Sequence, residues 1–304
     1  MKVTRLADSS LPPFFVSADE AAESGQTGAL RSGRIRLIAA VAAAVGGAFT
    51  LQLWRVDLWA VIALAGFTIA LVAELYIVLA RPERRWYQAR AAAESVKTLS
   101  WRFAVGADPF FLSLEPEAAA ALFRSRVADV AKEVSDSVDL PSSNASEPTE
   151  QMLELRNESF TSRREIYLKE RTEAQKNWYT NKARFNGRRA TLWRVILVSA
   201  EVIAVILAAG RLFAGWNVDA AGILAAIIGA GAGWLSFKQH ATLRAAYSLT
   251  AAELERQIGT LRSTSEADWA ESVADAEEAI SREHTMWLAS RGEVNERLDS
   301  PRRK

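Results

Sequence analysis

The chain contains no cysteine, which excludes disulfide scaffolds, thiol catalysis and cysteine-ligated metals. It has only two histidines, His240 and His284, on different predicted helices, and neither has a second histidine at ligand spacing. No metal site is therefore expected. Charge of one sign is not in excess either. Against 37 Lys and Arg stand 36 Asp and Glu, a net charge of +1, so a basic nucleic-acid surface is not indicated and no nucleic-acid partner is expected. Catalytic signatures are missing too. Gly229, Gly231 and Gly233 lie in an apolar run without the lysine-serine ending of a phosphate-binding loop, and there is no Gly-x-Ser-x-Gly elbow. The expectation is a protein that is not an enzyme and carries no cofactor.

What the chain does have is apolar sequence gathered into blocks. Half of its 304 residues are hydrophobic and 24% are charged, averages that suit a soluble protein, yet the two kinds are segregated. Leu37 to Trp54 and Leu58 to Ala73 carry no charge, and the second run resumes after Glu74 to Ala80. Val195 to Gly210 is apolar except for Glu201, and Ala220 to Phe237 is uncharged. Each block is close to the roughly 20 residues that cross about 30 Å of hydrocarbon. Short polar links, Arg55-Val56-Asp57 and Arg211 to Asp219, join them in pairs. The predicted class is all-α, with two transmembrane hairpins, four spans in all, and a cytoplasmic helical bundle. Ten tryptophans suit membrane–water boundaries.

The polar remainder divides around these blocks. Residues 1–32, with Pro12, Pro13 and several Ser and Gly, read as a flexible tail, and their polarity and length argue against a cleaved signal peptide. Residues 33–140 form a first two-span module and 141–304 a second. The segment 81–193 reads as helical throughout, with one break at Pro141-Ser142-Ser143-Asn144 and a long helix from Ser146 and Glu147. Ala119, Phe123, Arg126 or Val127, Val130 and Val134 recur at helical spacing, as do Phe160, Tyr167, Ala174, Trp178 and Phe185. Leu243, Tyr247, Thr250, Leu254, Ile258 and Leu261 mark a third stripe. Trp269, Val273, Ala276, Ile280, His284 and Trp287 mark a fourth. No alternating strand pattern is expected, and the scattered carboxylates read as solvated surface charges.

Three sets of residues are candidate sites. Glu74 lies seven residues before Arg81 and Glu201 seven after Arg194, so both sit roughly 10 Å inside the basic rim of a span. They are candidate pore-lining groups, or else groups bonded to a neighbouring helix. Ala221, Ala225, Gly229 and Gly233 form a small-residue ribbon, as do Ala39, Ala43 and Gly47, suited to close helix packing within one chain or between subunits. Beside the membrane, Trp86, Tyr87, Arg90, Glu94, Lys97 and Trp101 share one patterned face. Trp178, Tyr179, Lys182, Asn186, Arg189 and Trp193 share another. These faces read as an aromatic belt with basic anchors, as an inter-module contact or regulatory surface, or as a lipid-headgroup or nucleotide site.

Longer strings around the spans carry a resemblance. WYQARAAAESVKTLSWRF from Trp86 to Phe103 is followed by GADPF, and WYTNKARFNGRRATLW runs from Trp178 to Trp193. KQHATLRAAYSLTAAEL follows the fourth span from Lys238, and AEEAISREHTMWLASR runs from Ala276 to Arg291. Together they resemble two tandem SLATT domains, the two-helix membrane effectors associated with SMODS nucleotidyltransferases and SLOG sensor domains. The resemblance covers about residues 30–291. It implies a pore-forming effector of bacterial conflict or antiviral defence that oligomerises in the inner membrane on a nucleotide or partner signal. No sensor or nucleotidyltransferase domain is recognised in the chain, so the resemblance implies a separate cytoplasmic signalling or sensor protein, or a diffusible signal. The other reading is a membrane-anchored adaptor that recruits a cytoplasmic partner.

Arginine and lysine set the expected orientation. Arg31, Arg34 and Arg36 precede the first block, and Arg81, Arg84, Arg85 and Arg90 follow the second. Lys182, Arg184, Arg188, Arg189 and Arg194 precede the third, and Lys238 and Arg244 follow the fourth. Reporter fusions at residue 56 and near residue 215 are expected to report the outside. Fusions near residue 145 and after residue 300 are expected to report the cytoplasm, both termini included. A cytoplasmic signal from either link would overturn the four-span topology.

Overall fold

A computed structural model describes residues 6–54, 56–135, 146–215 and 220–290, with side chains to Ser281. The Pro141–Asn144 turn, Arg55, residues 216–219 of the second link, and the side chains of His284 and Trp287 lie outside the described residues. The described residues are all-α apart from one minimal hairpin. Its helices are α1 (Pro13–Ala48), α2 (Leu58–Ala80), α3 (Pro82–Val105), α4 (Pro116–Val134), α5 (Glu150–Arg156), α6 (Phe160–Ile166), α7 (Ala174–Ala214), α8 (Ala220–Lys238), α9 (His240–Ser263) and α10 (Trp269–Ser290). A π-helical stretch, Tyr167–Glu173, joins α6 to α7. The residues fall into two compact units: one of residues 1–25, 84–183 and 245–304, the other of 26–83 and 184–244.

The first unit holds the larger core. Its aromatic centre is built from Phe103, Phe110 and Phe123, all fully buried with ring centroids 5.3–5.9 Å apart. A second cluster sets Tyr167 edge-on to both Trp101 and Trp269. The predicted stripes supply these positions: Ala119, Phe123, Val127 and Val134 of α4, Leu254, Ile258 and Leu261 of α9, and Trp269, Val273, Ala276 and Ile280 of α10 are buried.

Three sequence expectations are corrected here. Residues 1–32 are not a loose tail over their described part. Asp8–Ser10 form a 3-10 turn, α1 begins at Pro13, and Leu6, Leu11, Phe14, Phe15 and Ala18 join the core. Proline at the start of α1 fits a helix N-terminus, where its missing N–H costs nothing. The helical segment after residue 81 also has breaks that were not expected. Gly106, at φ 72°, ends α3, because only glycine takes that conformation at no steric cost. The long helix begins not at Ser146 but at Phe160. Thr149 caps the short α5 by accepting from the Met152 N–H, and Ser159 caps α6 by accepting from the Ser162 N–H. Arg156 is the last residue of α5. Its guanidinium donates to the carbonyls of Phe103, Phe110 and Phe111 at 2.8–2.9 Å, tying down the α3–α4 loop. Burial, and then the charge of Arg163, hold its pKa below the ordinary arginine value.

In the second unit, α1 stops at Ala48 rather than continuing to Trp54. Gln52–Leu53 pairs with Val56–Asp57 in a two-residue antiparallel ladder, the one strand pairing among the described residues. Asp57 then caps α2, accepting from the N–H groups of Trp59 and Ala60. The helix from Leu37 to Ala48 is therefore about 18 Å long, short of the hydrocarbon thickness. Three helical stretches, Leu58–Val105, Phe160–Ala214 and Ala220–Ser263, are long and apolar enough to cross a membrane, and α1 is not among them.

Helices α1 and α2 touch through backbone. A methyl group on Gly66 would meet Ala39 O at 2.7 Å and Ala43 N at 2.8 Å, and one on Gly46 would meet Ala63 N at 2.6 Å. Gly66→Ala is expected to destabilise the protein by about 1–3 kcal/mol through forced separation of the two helices. Gly259→Ala, where nothing lies within 4 Å of the added methyl, is expected to be neutral or to stabilise by up to ~1 kcal/mol. Thermal unfolding of the two variants in detergent, followed by circular dichroism, checks the contrast.

Candidate functional site: a polar cavity beside a buried ionic cluster

The first unit contains a cavity of about 410 Å³. Arg90, Glu94, Lys97 and Trp101 of α3 form one wall, since residues spaced by three or four share a helix face. Glu170 and Arg171 of the π-helical stretch and Trp178 of α7 form another, and Leu6, Asp8, Phe15 and Asp19 of the N-terminal segment complete it. The N-terminal carboxylates sit on the cations of α3. Asp8 pairs with Lys97 at 2.6 Å and Asp19 with Arg90 at 3.0 Å, while Glu94 also holds Arg90 at 2.5 Å. Lys97 lies over the Phe15 ring.

Behind Arg171 lies a buried ionic cluster. The side chains of Arg171 and Glu277 are 1% and 0% exposed. Glu277 Oε1 accepts from Arg171 Nε at 2.9 Å and from the Tyr167 hydroxyl at 3.0 Å. Its Oε2 accepts from Arg171 Nη2 at 2.7 Å and from the Thr98 hydroxyl at 2.9 Å. Four donors from α3 and the π-helical stretch thus surround one carboxylate from α10. Burial disfavours the charged guanidinium, but the charge and hydrogen bonds of Glu277 outweigh burial, so the pKa of Arg171 is raised overall. Burial first, and the neighbouring carboxylate second, push the Tyr167 hydroxyl well above its ordinary value. The third guanidinium nitrogen, Arg171 Nη1, is buried and has no hydrogen-bond partner among the described residues.

The structure distributes the sequence-derived candidates unevenly. Arg90, Glu94, Lys97, Trp101 and Trp178 meet at this cavity. Tyr87 and Tyr179 are buried, and Trp86 packs beside Ala22 and Ala89. Lys182 is exposed and lies over the Trp178 ring. The rest of that second face belongs to the other unit. There Asn186 Oδ1 lies 2.7 Å from His240 Nδ1, Arg189 lies over Phe185, and Trp193 faces Gly231. Glu74 forms an ion pair with Arg36 of α1 at 2.6 Å. Glu201 is exposed on α7 and has no ion pair or hydrogen bond among the described residues. Ala39 and Ala43 pack on Gly66, whereas Gly47 has nothing within 4 Å of an added methyl. Of the other ribbon, Ala221 is half-buried and Ala225, Gly229 and Gly233 are exposed; a methyl group on Gly233 would meet Leu37 at 3.6 Å, whereas one on Gly229 has nothing within 4 Å.

Sequence reasoning missed Arg171 and Glu277, and the reading of the carboxylates as solvated does not hold for Glu277. The signal was present. Glu277 stands four residues after Val273 and three before Ile280, on the apolar stripe of α10. Arg171 stands four after Tyr167 and three before Ala174 on the stripe of its own helix. A charge on a packing face is a candidate buried partner.

This is an all-α membrane protein, with three helices of spanning length and composition. Only 11% of the apolar stretch of α2, and none of those of α7 and α8, is buried by protein. Two family models match it: SMODS and SLOG-associating 2TM effector domain 3 over residues 12–164, and SMODS and SLOG-associating 2TM effector domain 1 over residues 167–287. The chain belongs to the SLATT family of membrane effector domains and carries two of them in tandem. The matches meet between residues 164 and 167, whereas the sequence reading divided the modules at residue 140. No curated protein and no solved structure matches the chain.

Glu277→Gln is expected to destabilise the first unit by about 3–5 kcal/mol, because it leaves the buried Arg171 charge without its counter-ion. Thr98→Val, which removes one of four donors, is expected to cost about 1 kcal/mol. Denaturant unfolding followed by tryptophan fluorescence measures both.

Proposed function

We propose that this protein is a membrane-permeabilising effector of a bacterial conflict or defence system. Several copies assemble in the inner membrane and open a path for ions when a nucleotide or a partner protein signals. It does no chemistry of its own. In this reading four helical segments cross the membrane as two hairpins, with α1 as the short member beside α2, and the first unit and both termini lie in the cytoplasm.

The observation that carries the proposal is the unburied apolar surface of α2, α7 and α8. Leu79, Val205 and Phe213 are at least 70% exposed within one chain. Lipid covers such surface, and so do other copies of the same helix. Four spans are too few to surround an aqueous path, so conduction requires several subunits around an axis. The exposed ribbon of Ala225, Gly229 and Gly233 is where a second copy could approach backbone to backbone. Glu201 projects from one of the uncovered helices, and a ring of such carboxylates would favour cations. Glu74 fits its structural alternative better, since Arg36 neutralises it.

The other reading, a membrane-anchored adaptor, draws support from the first unit, whose core would make a stable platform for a cytoplasmic partner. Reconstitution in planar bilayers separates the two. The purified protein, or the protein with its native trigger, is expected to conduct with cation preference, and Glu201→Gln is expected to assemble normally while its reversal potential under a salt gradient moves toward zero. Absence of conductance with the trigger present would leave the adaptor reading.

A further inference from the structure

We propose that the cavity lined by Arg90, Lys97, Arg171 and Trp178 binds a small phosphate-bearing molecule, whose oxyanions take the places that Asp8 and Asp19 now hold. This deepens the signal-response part of the function proposed above by assigning it a site.

Four observations converge on it. Arg171 has one guanidinium edge, Nε and Nη2, spent on Glu277, while Nη1 is buried without a partner in a side chain that lines the cavity. A buried unsatisfied donor on a cation costs free energy that an oxyanion recovers. The cavity is of ligand size. Its volume lies within the usual range for small-molecule sites. Arg171 sits on a π-helical stretch, a local widening that recurs at functional sites because it re-aims side chains out of the regular helical register. Finally, the carboxylates opposing Lys97 and Arg90 come from the N-terminal segment and are the most replaceable parts of the wall. Asp8 is 62% exposed and Asp19 35%, while the segment itself stays anchored by Leu11, Phe14 and Phe15 in the core. Their side chains can swing away without unfolding anything. Lys97 then loses Asp8, while Arg90 exchanges Asp19 for the ligand and keeps Glu94; the two cations are seven residues apart on α3, about 10 Å along its axis, a spacing suited to two phosphate groups or to a phosphate and a second acidic group. Trp178, partly exposed at the rim, adds an aromatic side chain to the wall, with Lys182 over its ring.

The test uses the full chain purified in neutral detergent and titrated calorimetrically with inorganic pyrophosphate and with adenosine diphosphate. In parallel, the protein is placed in nanodiscs of zwitterionic lipid with and without phosphatidylglycerol. Binding of either soluble probe assigns a diffusible ligand. Retention of phosphatidylglycerol without binding of the soluble probes assigns a lipid headgroup. In both cases Lys97→Ala and Arg90→Ala are expected to weaken binding roughly ten- to hundredfold, the loss of one charge-assisted hydrogen bond. Arg171→Lys, which keeps the charge beside Glu277 but removes Nη1, is expected to weaken it by a similar factor; should that variant fail to fold, Lys97→Ala carries the test. The double variant Asp8→Asn, Asp19→Asn removes the two N-terminal carboxylates, leaving Glu94 and Glu170 in the wall, and is expected to bind about tenfold more tightly. Binding of neither soluble probe nor anionic lipid, in the unmodified chain and in the double variant, overturns the proposal. So does affinity that ignores Lys97→Ala. Since binding is read without any current, its failure leaves a conducting protein standing, and a protein that binds but never conducts leaves the site standing.

Discussion

The four hydrogen bonds that converge on the Glu277 carboxylate hold the first unit to a single arrangement. Removing a carboxylate and a guanidinium from water costs several kcal/mol per ion, and that cost is offset only if both find complete partners. Here the acceptor is complete. Tyr167 and Arg171 approach from the π-helical stretch and Thr98 from α3, so any slip of α10 against those elements strands a charge in an apolar core. Ridges of Ala, Val and Ile could settle in more than one register. The ion pair cannot, and its strictness fixes where Trp269 and Tyr167 meet and where the cavity wall formed by Arg171 stands.

The two hairpins of the other unit solve their packing differently from one another. Between α1 and α2, Gly46 and Gly66 each let a neighbouring backbone approach to distances at which any side chain would collide. Close approach gives van der Waals contact in a solvent as apolar as the helices themselves, where burial of hydrophobic surface contributes little. On α8 the packing inside the chain runs through Gly231, which faces Leu197 and Trp193 of α7, while the neighbouring ribbon of Ala225 and Gly229 stays uncovered. One helix thus carries two small-residue faces, of which the chain itself occupies one.

Much of this was legible in advance, for reasons that differ by element. The stripes of α4, α9 and α10 were visible because burial of one helix face imposes a 3.6-residue period on the sequence. The apolar blocks of α2, α7 and α8 were visible because spanning length is itself a sequence property. The end of α1 was not, because an uncharged stretch looks the same whether it stays helical or turns at Phe49 into a hairpin. The N-terminal segment was misread for a related reason. Its prolines, serines and glycines suggest a loose segment, but a handful of apolar residues, Leu6, Leu11, Phe14 and Phe15, decide its fate by finding a core built elsewhere in the chain. Half of the candidate site, Arg90 to Trp101, could be read from helical spacing on α3. The other half could not, because Asp8, Arg171 and Trp178 come together only through tertiary packing.

The bond between Thr98 and Glu277 also has a meaning in time. The two residues lie 179 positions apart, and a ribosome adding about 5–20 residues per second makes the second of them roughly 10–40 seconds after the first. By then every apolar helix of the chain has already been synthesised. Arg171 waits without its carboxylate while α7, α8 and α9 are made, and the cavity has no settled wall until α10 arrives. The ion pair therefore acts as a proof of completion: a chain cut short before residue 277 has its apolar helices but leaves the buried Arg171 without its counter-ion.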